Sequence, residues 1–514
     1  MIDFFLKKQT IKLDILLELS NQKKIDFLSY FIKKNIPRTT LKRIFDNLNN
    51  DLKENELPCR IEQDEQKRYY LTFSEKTSAL TTYQRLKLIY LKESLHFQLL
   101  SILLTTPTSS IYLLSEKLMV STSYCYRLIR ELNIELQTFR LTIETKKKGE
   151  QIKIIGHEQT FRIFSFIILS EAYQTIEWPF QHITKQNIIE SISLSKLKNI
   201  HSFSPSKQNQ VFFLIAITDL RIKNKCRLKK MNPDLLDFVK ILKENVNFAD
   251  DTLILNQRYY LDDKTLNNEV LFYNALFRIL IAHTILPEQK QVAGKKLCLS
   301  NTTLSNSIIE LAKAISDEFG LNSELNYYYE LIYFLAIYEL LLSLINVSID
   351  SFSQASDRYA DSTEKLVYNN KLDIQIFYKK FLKNNINLKL SLVKDSNFVY
   401  TCNFINTLVR IYSCSSLSIY FQFSKNFLGE RLISQKISNM FNSSTLKFTK
   451  NFYQANLVIS DSMDTIKELD GKNYFYFNNI DDKKLWVELI MFIQFHVLES
   501  ANKEYGLIWK EYLS

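Results

Sequence analysis

The sequence predicts a mainly α-helical protein made of several domains. Glycine and proline occur only seven times each in 514 residues, whereas average usage is about 7% and 5%. The chain therefore lacks the turn residues that an all-β protein needs. Its hydrophobic content of 46% is typical of globular proteins, and a chain of this length corresponds to about three to five domains.

Several classes of function are disfavoured by what the sequence lacks. The glycines are too dispersed for a G-x-G-x-x-G or G-x-x-x-x-G-K loop, the six cysteines show no C-x-x-C spacing, and the six histidines include no H-E-x-x-H. We therefore expect no cofactor, no metal site and no enzymatic activity. The N-terminal segment carries charges through its apolar stretch and has no small-residue cleavage site, so it does not resemble a signal peptide. Together these features predict a cytoplasmic protein.

One apolar segment is long enough to raise the question of a membrane. The segment 331–349 contains a single charged residue, Glu339. A carboxylate near the middle of a membrane span costs about 2.5–3.5 kcal/mol on insertion scales. We therefore predict a buried core helix, with a membrane span as the alternative.

The most informative feature is an internal repeat, whose first copy begins at Asn35 and whose second begins at Met119. NIPRTTLKRIFDNLNNDL (35–52) aligns with MVSTSYCYRLIRELNIEL (119–136), and Arg43 falls on Arg127. Spacings of 3, 4 and 7 place the shared apolar positions on one helical face. The coinciding pairs are Ile36/Val120, Leu41/Cys125, Ile44/Leu128, Phe45/Ile129, Leu48/Leu132 and Leu52/Leu136.

The surroundings of each copy predict a winged helix-turn-helix. Each copy follows a short amphipathic segment, IDFLSYFIKK (25–34) or SSIYLLSEKL (109–118), which we interpret as a helix. A hairpin-like segment follows each copy, RIEQDEQKRYYLTF (60–73) or LTIETKKKGEQIKIIG (141–156). Helix, turn, helix and hairpin are the parts of this DNA-binding fold. Residues 1–160 also hold 26 Lys and Arg against 19 Asp and Glu, a net charge of +7 that suits a polyanion.

The rest of the chain changes character twice. Long amphipathic helices are predicted at 160–172, 208–223, 232–244, 266–285, 305–319, 325–345 and 362–382, divided by a linker at LPEQKQVAGKK (286–296). Strand-like segments then alternate with helical ones: SLSIYFQFS (416–424), GERLISQKISNMF (429–441), STLKFT (444–449), ANLVISD (455–461), KNYFYFN (472–478) and DDKKLWVELIMFIQFHVLES (481–500). This alternation predicts a small α/β domain with a largely parallel sheet.

This order of domains resembles the Mga/AtxA/RofA-like transcriptional regulators of Gram-positive bacteria. The most specific local match is SEKLMVSTSYCYRLIRELNIEL (115–136) with its wing and IIGHEQTFRIF (154–164), where Gly156, Glu158 and Arg162 resemble a glycine–acidic–arginine motif of the family. The resemblance implies two phosphotransferase-system regulation (PRD-like) domains, best matched at 203–225, and a IIB-like sugar-phosphotransferase domain. The implied domains are winged helix 1 (1–75), winged helix 2 (80–160), PRD-like 1 (161–286), PRD-like 2 (297–395) and IIB-like (396–514).

The outward residues of the two second helices and of the second wing are the predicted DNA contacts. Arg127 suits a guanine edge or a phosphate, whereas Ser123 and Tyr124 suit phosphate oxygens. Glu131 and Glu135 oppose this interpretation, but lie toward the C-terminal half of the helix. The full set is Ser121, Thr122, Ser123, Tyr124, Arg127 and Arg130, with Lys146, Lys147 and Lys148 in the wing, and Arg38, Thr39, Thr40, Lys42, Arg43 and Asn47 in the first copy.

The resemblance also implies phosphorylation on histidine by the phosphocarrier proteins of the sugar phosphotransferase system. His182, His201 and His283 are the candidates in the first PRD-like domain, with His201 preferred and Lys207 or Arg221 available to stabilise its phosphoryl group. The segment 297–395 contains no histidine, and the loop FSKNFLGE (423–430) of the IIB-like domain contains no cysteine. Phosphoryl transfer needs such a nucleophile. Phosphorylation on histidine is therefore not expected in 297–395, and the IIB-like domain is expected to be structural or dimerising.

We conclude from the sequence that the chain is a DNA-binding transcriptional regulator. The family implies an activator of surface or virulence genes, tuned by sugar-phosphotransferase phosphorylation and acting as a homodimer on promoter DNA. The alternatives are a PRD-containing RNA-binding antiterminator, and a phosphotransfer or scaffold protein that does not bind DNA.

Overall fold

The computed structural model divides the chain into two compact units. The first comprises 1–309, 329–365 and 387–400, and the second 310–328, 366–386 and 401–514. The structure describes residues 2–6, 9–22, 24–26, 36–74, 78–106, 109–146, 149–193, 203–228, 233–245, 261–281, 285–321, 325–345, 371–385, 388, 390–412, 417–423, 429–441, 445–461, 473–477, 479 and 481–501. Helices predominate in both units, as the sequence predicts.

The first repeat folds as helices against a three-stranded antiparallel sheet. Its elements are α1 (Ile2–Leu6), α2 (Thr10–Gln22), β1 (Lys24–Asp26), α3 (Arg38–Glu54), β2 (Cys59–Gln63) and β3 (Arg68–Phe73), with strand order β1-β3-β2. Helix α3 buries Leu41, Phe45, Leu48 and Leu52, four of the predicted apolar positions.

The helix predicted at 25–34 was wrong at its beginning. Ile25 and Asp26 belong to β1 and pair with Tyr69 and Arg68 of β3. The Ile25 side chain is buried, between exposed Lys24 and half-buried Asp26. Residues 27–34 of that prediction lie outside the described residues.

The second repeat builds a similar arrangement. Its elements are α4 (Ala79–Glu93), α5 (Leu95–Thr105), α6 (Ile111–Leu118), α7 (Thr122–Gln137), β4 (Thr142–Lys146) and β5 (Gln151–Ile155). Helix α7 buries Cys125, Leu128, Ile129, Leu132 and Leu136, and β4 pairs antiparallel with β5. The predicted apolar face and hairpin are both confirmed.

The repeat extends further than the aligned segment. Ser109 forms an isolated antiparallel bridge with Ile152 of β5, just as Ile25 pairs with Tyr69 of β3. Ser109 occupies the repeat position of Ile25, and Ile152 immediately precedes the repeat position of Tyr69. Both copies therefore add a short third segment to their hairpin.

Further helices continue the chain up to residue 345. They are α8 (Glu158–Tyr173), α9 (Lys185–Ser193), α10 (Pro205–Lys223), α11 (Pro233–Asn245), α12 (Asp263–Leu280), α13 (Pro287–Leu299), α14 (Thr303–Phe319) and α15 (Leu325–Ile345). Helix α8 packs on α10, and α11 packs on both α12 and α13.

Helix α13 occupies the segment that the sequence predicts as a linker, so that prediction was wrong. Pro287 stands in the first turn, where a missing N–H costs nothing, and the Gln289 side chain accepts a hydrogen bond from Leu286 N at 3.0 Å. Gly294 does not break the helix. It allows close approach to α15, because a Cβ there would lie 1.9 Å from the Tyr329 carbonyl oxygen.

Helix α15 is long and apolar enough to cross a membrane by length and composition, but most of it is buried inside the protein. Its Glu339 is almost fully buried and accepts hydrogen bonds from Ser343 Oγ (2.7 Å), Ser391 N (2.8 Å) and Leu392 N (2.9 Å). Burial raises the pKa of Glu339, and the three donors partly oppose that rise. The prediction of a buried core helix is confirmed for the described residues 331–345.

The C-terminal segment contains a four-stranded, fully parallel sheet. Its elements are α16 (Lys371–Asn384), α17 (Phe398–Tyr412), β6 (Leu417–Gln422), α18 (Gly429–Met440), β7 (Leu446–Thr449), β8 (Leu457–Ser460), β9 (Asn473–Tyr476) and α19 (Lys483–Ala501), with strand order β7-β6-β8-β9. Ile419, Leu457 and Ile459 of the sheet form a core with Ile433 of α18 and Leu489 of α19. The strands and helices alternate around a parallel sheet, as predicted.

Candidate nucleic-acid interface

Helices α6 and α7 form a capped helix-turn-helix. Ser110 Oγ accepts a hydrogen bond from Leu113 N at 3.2 Å at the start of α6, and Ser121 Oγ accepts one from Tyr124 N at 3.2 Å at the start of α7. Met119, between them, ends α6 in the left-handed region at φ +53° and is 91% exposed. The turn is therefore defined by two serine caps and one left-handed residue.

The predicted contact residues of α7 lie on the face opposite its buried core. Ser121, Ser123, Arg127 and Arg130 are exposed, whereas Thr122 and Tyr124 are half-buried. Thr122, Ser123, Tyr124 and Arg127 lie in the N-terminal half of α7, which is the part of such a helix that contacts base edges in the major groove. Ser121 caps the helix, and Arg130 lies just past its middle.

Arg127 is held in place by its own helix. Its guanidinium lies 4.2 Å from the centre of the Tyr124 ring, and its Nε is 3.7 Å from Glu131 Oε1. The other oxygen of Glu131 accepts a hydrogen bond from His96 Nε2 of α5 at 2.6 Å. Glu131 is therefore engaged on both sides, rather than a loose negative charge on the predicted DNA face.

The first copy presents a similar face. On α3, Arg38, Thr39, Lys42, Arg43 and Asn47 are exposed and Thr40 is half-buried. Arg43 occupies the repeat position of Arg127, but the residue one helical turn later is Asn47 instead of a glutamate.

The two wings differ in charge. Lys146 is exposed with its Nζ 3.2 Å from Glu144, while Lys147 and Lys148 lie outside the described residues. In the first wing, Asp64 accepts hydrogen bonds from Lys24 Nζ (2.9 Å) and Arg68 Nε (3.0 Å), and these contacts hold the pKa of Asp64 well below its usual range. Two basic side chains of the first wing are thus already partnered by a carboxylate.

Both repeats join the second helix to the wing with one asparagine. Asn133 Oδ1 accepts a hydrogen bond from Ile143 N (2.6 Å) while its Nδ2 donates to the Ile143 carbonyl (3.2 Å). Asn49 makes the same two bonds to Ile61, both at 2.9 Å. This pair was not predicted, although the two copies carry an identical asparagine at aligned positions, Asn49 and Asn133.

The asparagine bridge gives the first testable prediction. In Asn133→Asp, one oxygen still accepts from Ile143 N, but the other faces the Ile143 carbonyl, which it repels. We expect a loss of about 1–3 kcal/mol in the free energy of unfolding and faster amide exchange in β4. Hydrogen–deuterium exchange and urea unfolding measure both effects. Gln137→Glu, at an exposed position near the end of α7, is the control for the added charge, and an equal loss there would contradict the prediction.

Helix α8 anchors the second winged helix through buried charges. Lys87 Nζ of α4 lies 2.8 Å from Glu171 Oε1 of α8, with both side chains at least nine-tenths buried. At the start of α8, Arg162 is fully buried and contacts Glu158 (2.8 Å) and both oxygens of Glu269 (2.7 and 3.1 Å). The segment that contains the family-like Gly156, Glu158 and Arg162 therefore has a structural role, since it fixes the start of α8 by buried ion pairs.

The described residues lend little support to the predicted phosphorylation on histidine. His201 and His283 lie outside them. His182 is about nine-tenths buried with its Nε2 3.6 Å from Asp219 Oδ2, and burial lowers its pKa despite that carboxylate. Arg221, expected as a partner for a phosphoryl group, contacts Glu158 with two nitrogens (3.0 and 2.6 Å). Among the described residues, no group of three or more His, Cys, Asp or Glu side chains is placed to hold a metal.

The capped α6–α7 pair with its β4–β5 wing defines a winged helix-turn-helix domain, a class that places its second helix in the DNA major groove. Residues 81–169 match the family model of the Mga helix-turn-helix domain. The expected resemblance to Mga/AtxA-like regulators is thereby confirmed over this segment.

Two curated relatives match about a quarter of the chain. The "Anthrax toxin expression trans-acting positive regulator" of Bacillus anthracis is 30% identical over 133 residues, which is 26% of this chain and 26% of that protein. The "Putative trans-acting regulator" of Streptococcus pneumoniae serotype 4 is 22% identical over 134 residues, which is 26% of this chain and 27% of that protein. The similarity thus spans about a quarter of the length of each relative.

Proposed function

We propose that this chain is a cytoplasmic DNA-binding transcriptional regulator. The observation that carries the proposal is the exposed face of α7, with Arg127 and Arg130, in a domain that matches the Mga helix-turn-helix model. An exposed basic helix opposite a buried apolar face is the arrangement by which such domains bind the major groove. The predicted contacts on α3 and in the wing belong to the same proposal.

The direction of regulation follows from the relatives' names. One relative is a positive regulator of toxin expression and both are trans-acting regulators by name. We therefore propose an activator, with surface or virulence genes as its targets. Action as a homodimer matches paired sites in DNA, since a two-fold protein presents two equivalent helices to a two-fold operator.

The remaining domains are assigned in the same proposal. Residues 161–286 and 297–395 are proposed as PRD-like domains, supported by their helical content, and 396–514 as a IIB-like domain, supported by its parallel sheet. Control through phosphocarrier proteins of the sugar phosphotransferase system rests on this assignment, with His201 as the proposed phosphoacceptor.

Salt-dependent DNA binding is the test of the proposal. Fluorescence anisotropy with duplex DNA should give an affinity that falls as salt rises, because basic side chains release counterions from the phosphates. For Arg127→Ala/Arg130→Ala, we expect the log–log slope to shrink by about one or two. Lys380→Ala/Lys447→Ala removes the same charge from exposed positions outside the winged helices and should leave the slope unchanged.

Two outcomes would contradict the proposal. Tighter binding to a hairpin RNA than to duplex DNA in the same assay would favour an RNA-binding antiterminator. Background binding to DNA, combined with strong labelling by phosphocarrier proteins, would favour a phosphotransfer or scaffold protein.

A further inference from the structure

The two arginines at the same repeat position differ in how they are held. Arg127 lies against the Tyr124 ring and beside the Glu131 carboxylate. At the repeat positions of those neighbours, Arg43 has Thr40 and Asn47 instead. The first copy therefore lacks, at these positions, both the aromatic ring and the carboxylate that restrain the arginine of the second.

The restraint on Arg127 comes from outside the helix-turn-helix. Glu131 is fixed by the His96 imidazole of α5, at 2.6 Å. Because a carboxylate only accepts, His96 Nε2 carries the proton in this contact. The Phe4 ring, from α1 of the first repeat, makes a T-shaped contact with the His96 ring, with ring centres 5.2 Å apart and planes at 74°. A continuous series of contacts thus runs from α1 through α5 to the guanidinium.

The corresponding side chain of the first repeat acts elsewhere. Lys12 occupies the repeat position of His96, but its Nζ contacts Asp51, one turn beyond Asn47, at 2.6 Å. Asp51 also accepts a hydrogen bond from Tyr90 of α4. In the first copy, the Asp51 carboxylate of α3 thus contacts side chains of α2 and α4 and does not lie beside Arg43.

We propose that Glu131 and His96 are positioning residues that hold Arg127 in the orientation that reads a base edge. This inference rests on the DNA-binding function proposed above. A guanidinium held by a carboxylate and a ring has fewer rotamers to lose when it makes two hydrogen bonds to guanine O6 and N7. The same carboxylate repels phosphates, so it weakens binding to DNA of any sequence. Glu131 therefore increases discrimination at the expense of total affinity.

The test separates discrimination from affinity. A duplex is first selected from a randomised pool with the wild-type full-length chain. Dissociation constants are then measured for that duplex and for a scrambled duplex of the same composition. For Glu131→Gln we expect tighter binding to the scrambled duplex and a specificity ratio reduced about tenfold, the order of one bidentate base contact. His96→Leu should lower the ratio in the same direction, and Glu131→Asp should restore part of it.

Matched variants identify the cause. Glu135→Gln makes the same charge change one turn further along α7 and should leave the specificity ratio unchanged. Arg127→Lys keeps the charge but loses the bidentate fork, so it should lower the ratio as Glu131→Gln does.

Different negative results would overturn different parts of the proposal. An unchanged ratio in Glu131→Gln, with a lowered ratio in Arg127→Lys, would overturn the positioning role while leaving Arg127 as a base reader. Equal losses in Glu135→Gln and Glu131→Gln would overturn it as well, because helix charge alone would then explain the result. Failure of the wild-type chain to select any duplex would instead overturn the proposed DNA-binding function.

Discussion

Replacing Arg162 by methionine is expected to lower the free energy of unfolding by about 3–5 kcal/mol, because removal of one partner from a buried ion pair leaves the other charge unpaired. Glu269 is fully buried, and both of its carboxylate oxygens contact the Arg162 guanidinium. Burial alone would lower the pKa of Arg162, but Glu269 and Glu158 outweigh it and raise that pKa. The guanidinium is therefore charged at neutral pH.

Urea unfolding followed by Trp178 fluorescence measures this effect. Trp486→Phe and Trp509→Phe in the background confine the signal to Trp178, which lies in the same compact unit as Arg162. The double variant Arg162→Met/Glu269→Gln should recover part of the loss, since the buried carboxylate is then neutral as well. Arg221→Met is the matched control, because Arg221 contacts Glu158 but not Glu269. In this variant Glu158 still has Arg162 as a partner, so no buried charge is left unpaired. Equal losses in Arg162→Met and Arg221→Met would contradict the prediction.

The buried ion pairs of α8 are expected to support DNA binding. Helix α8 follows β5 directly after Gly156 and His157, and is fixed by Arg162 at its start and by the Lys87–Glu171 pair further along. The wing is therefore attached to a helix held by buried charges at two points. We expect that loosening α8 weakens DNA binding even though no predicted contact residue is altered.

The local elements of the second repeat were predictable because burial imposes a period on the sequence. Spacings of 3, 4 and 7 located α7 and its buried face, and alternation located β4 and β5. Ser121 caps α7, a position at which serine is strongly preferred because of its residue type.

The partners of the charged residues were not predictable from spacing. Glu269 lies 107 residues after Arg162, and His96 lies 35 residues before Glu131. Periodicity indicates which face of a helix is buried, but not which distant side chain meets it. From the sequence alone, Glu131 is an unfavourable charge near DNA, whereas in the structure it is engaged with Arg127 and His96.

The missed helix α13 and strand β1 have a different cause. The segment 286–296 contains both proline and glycine, but proline is tolerated in a first turn and glycine at a close helix contact, so neither residue ends the helix. A strand as short as β1 cannot establish a period, so only its pairing with β3 defines it.

Gly156→Ala is expected to lower the free energy of unfolding by about 2–4 kcal/mol, from backbone strain combined with overpacking. Gly156 connects β5 to α8 at φ +151°, a conformation that L-residues rarely adopt. An added Cβ would lie 2.6 Å from Leu141 Cδ2 and 2.7 Å from the Arg140 carbonyl oxygen. The backbone oxygen cannot move away without displacing the residues that lead into β4.

Gly320→Ala separates the two contributions. Gly320 also has a positive φ, +57°, but a Cβ there would meet nothing within 4 Å. Backbone strain alone should therefore lower the free energy of unfolding of this variant by about 1–2 kcal/mol. Urea unfolding followed by Trp486 fluorescence measures the loss, because Trp486 lies in the same compact unit as Gly320. We further expect Gly156→Ala to weaken duplex DNA binding in the anisotropy assay, because the wing is displaced relative to α7. A Gly156→Ala chain as stable as Gly320→Ala, with unchanged DNA affinity, would show that the connection between wing and α8 tolerates movement and does not fix the wing.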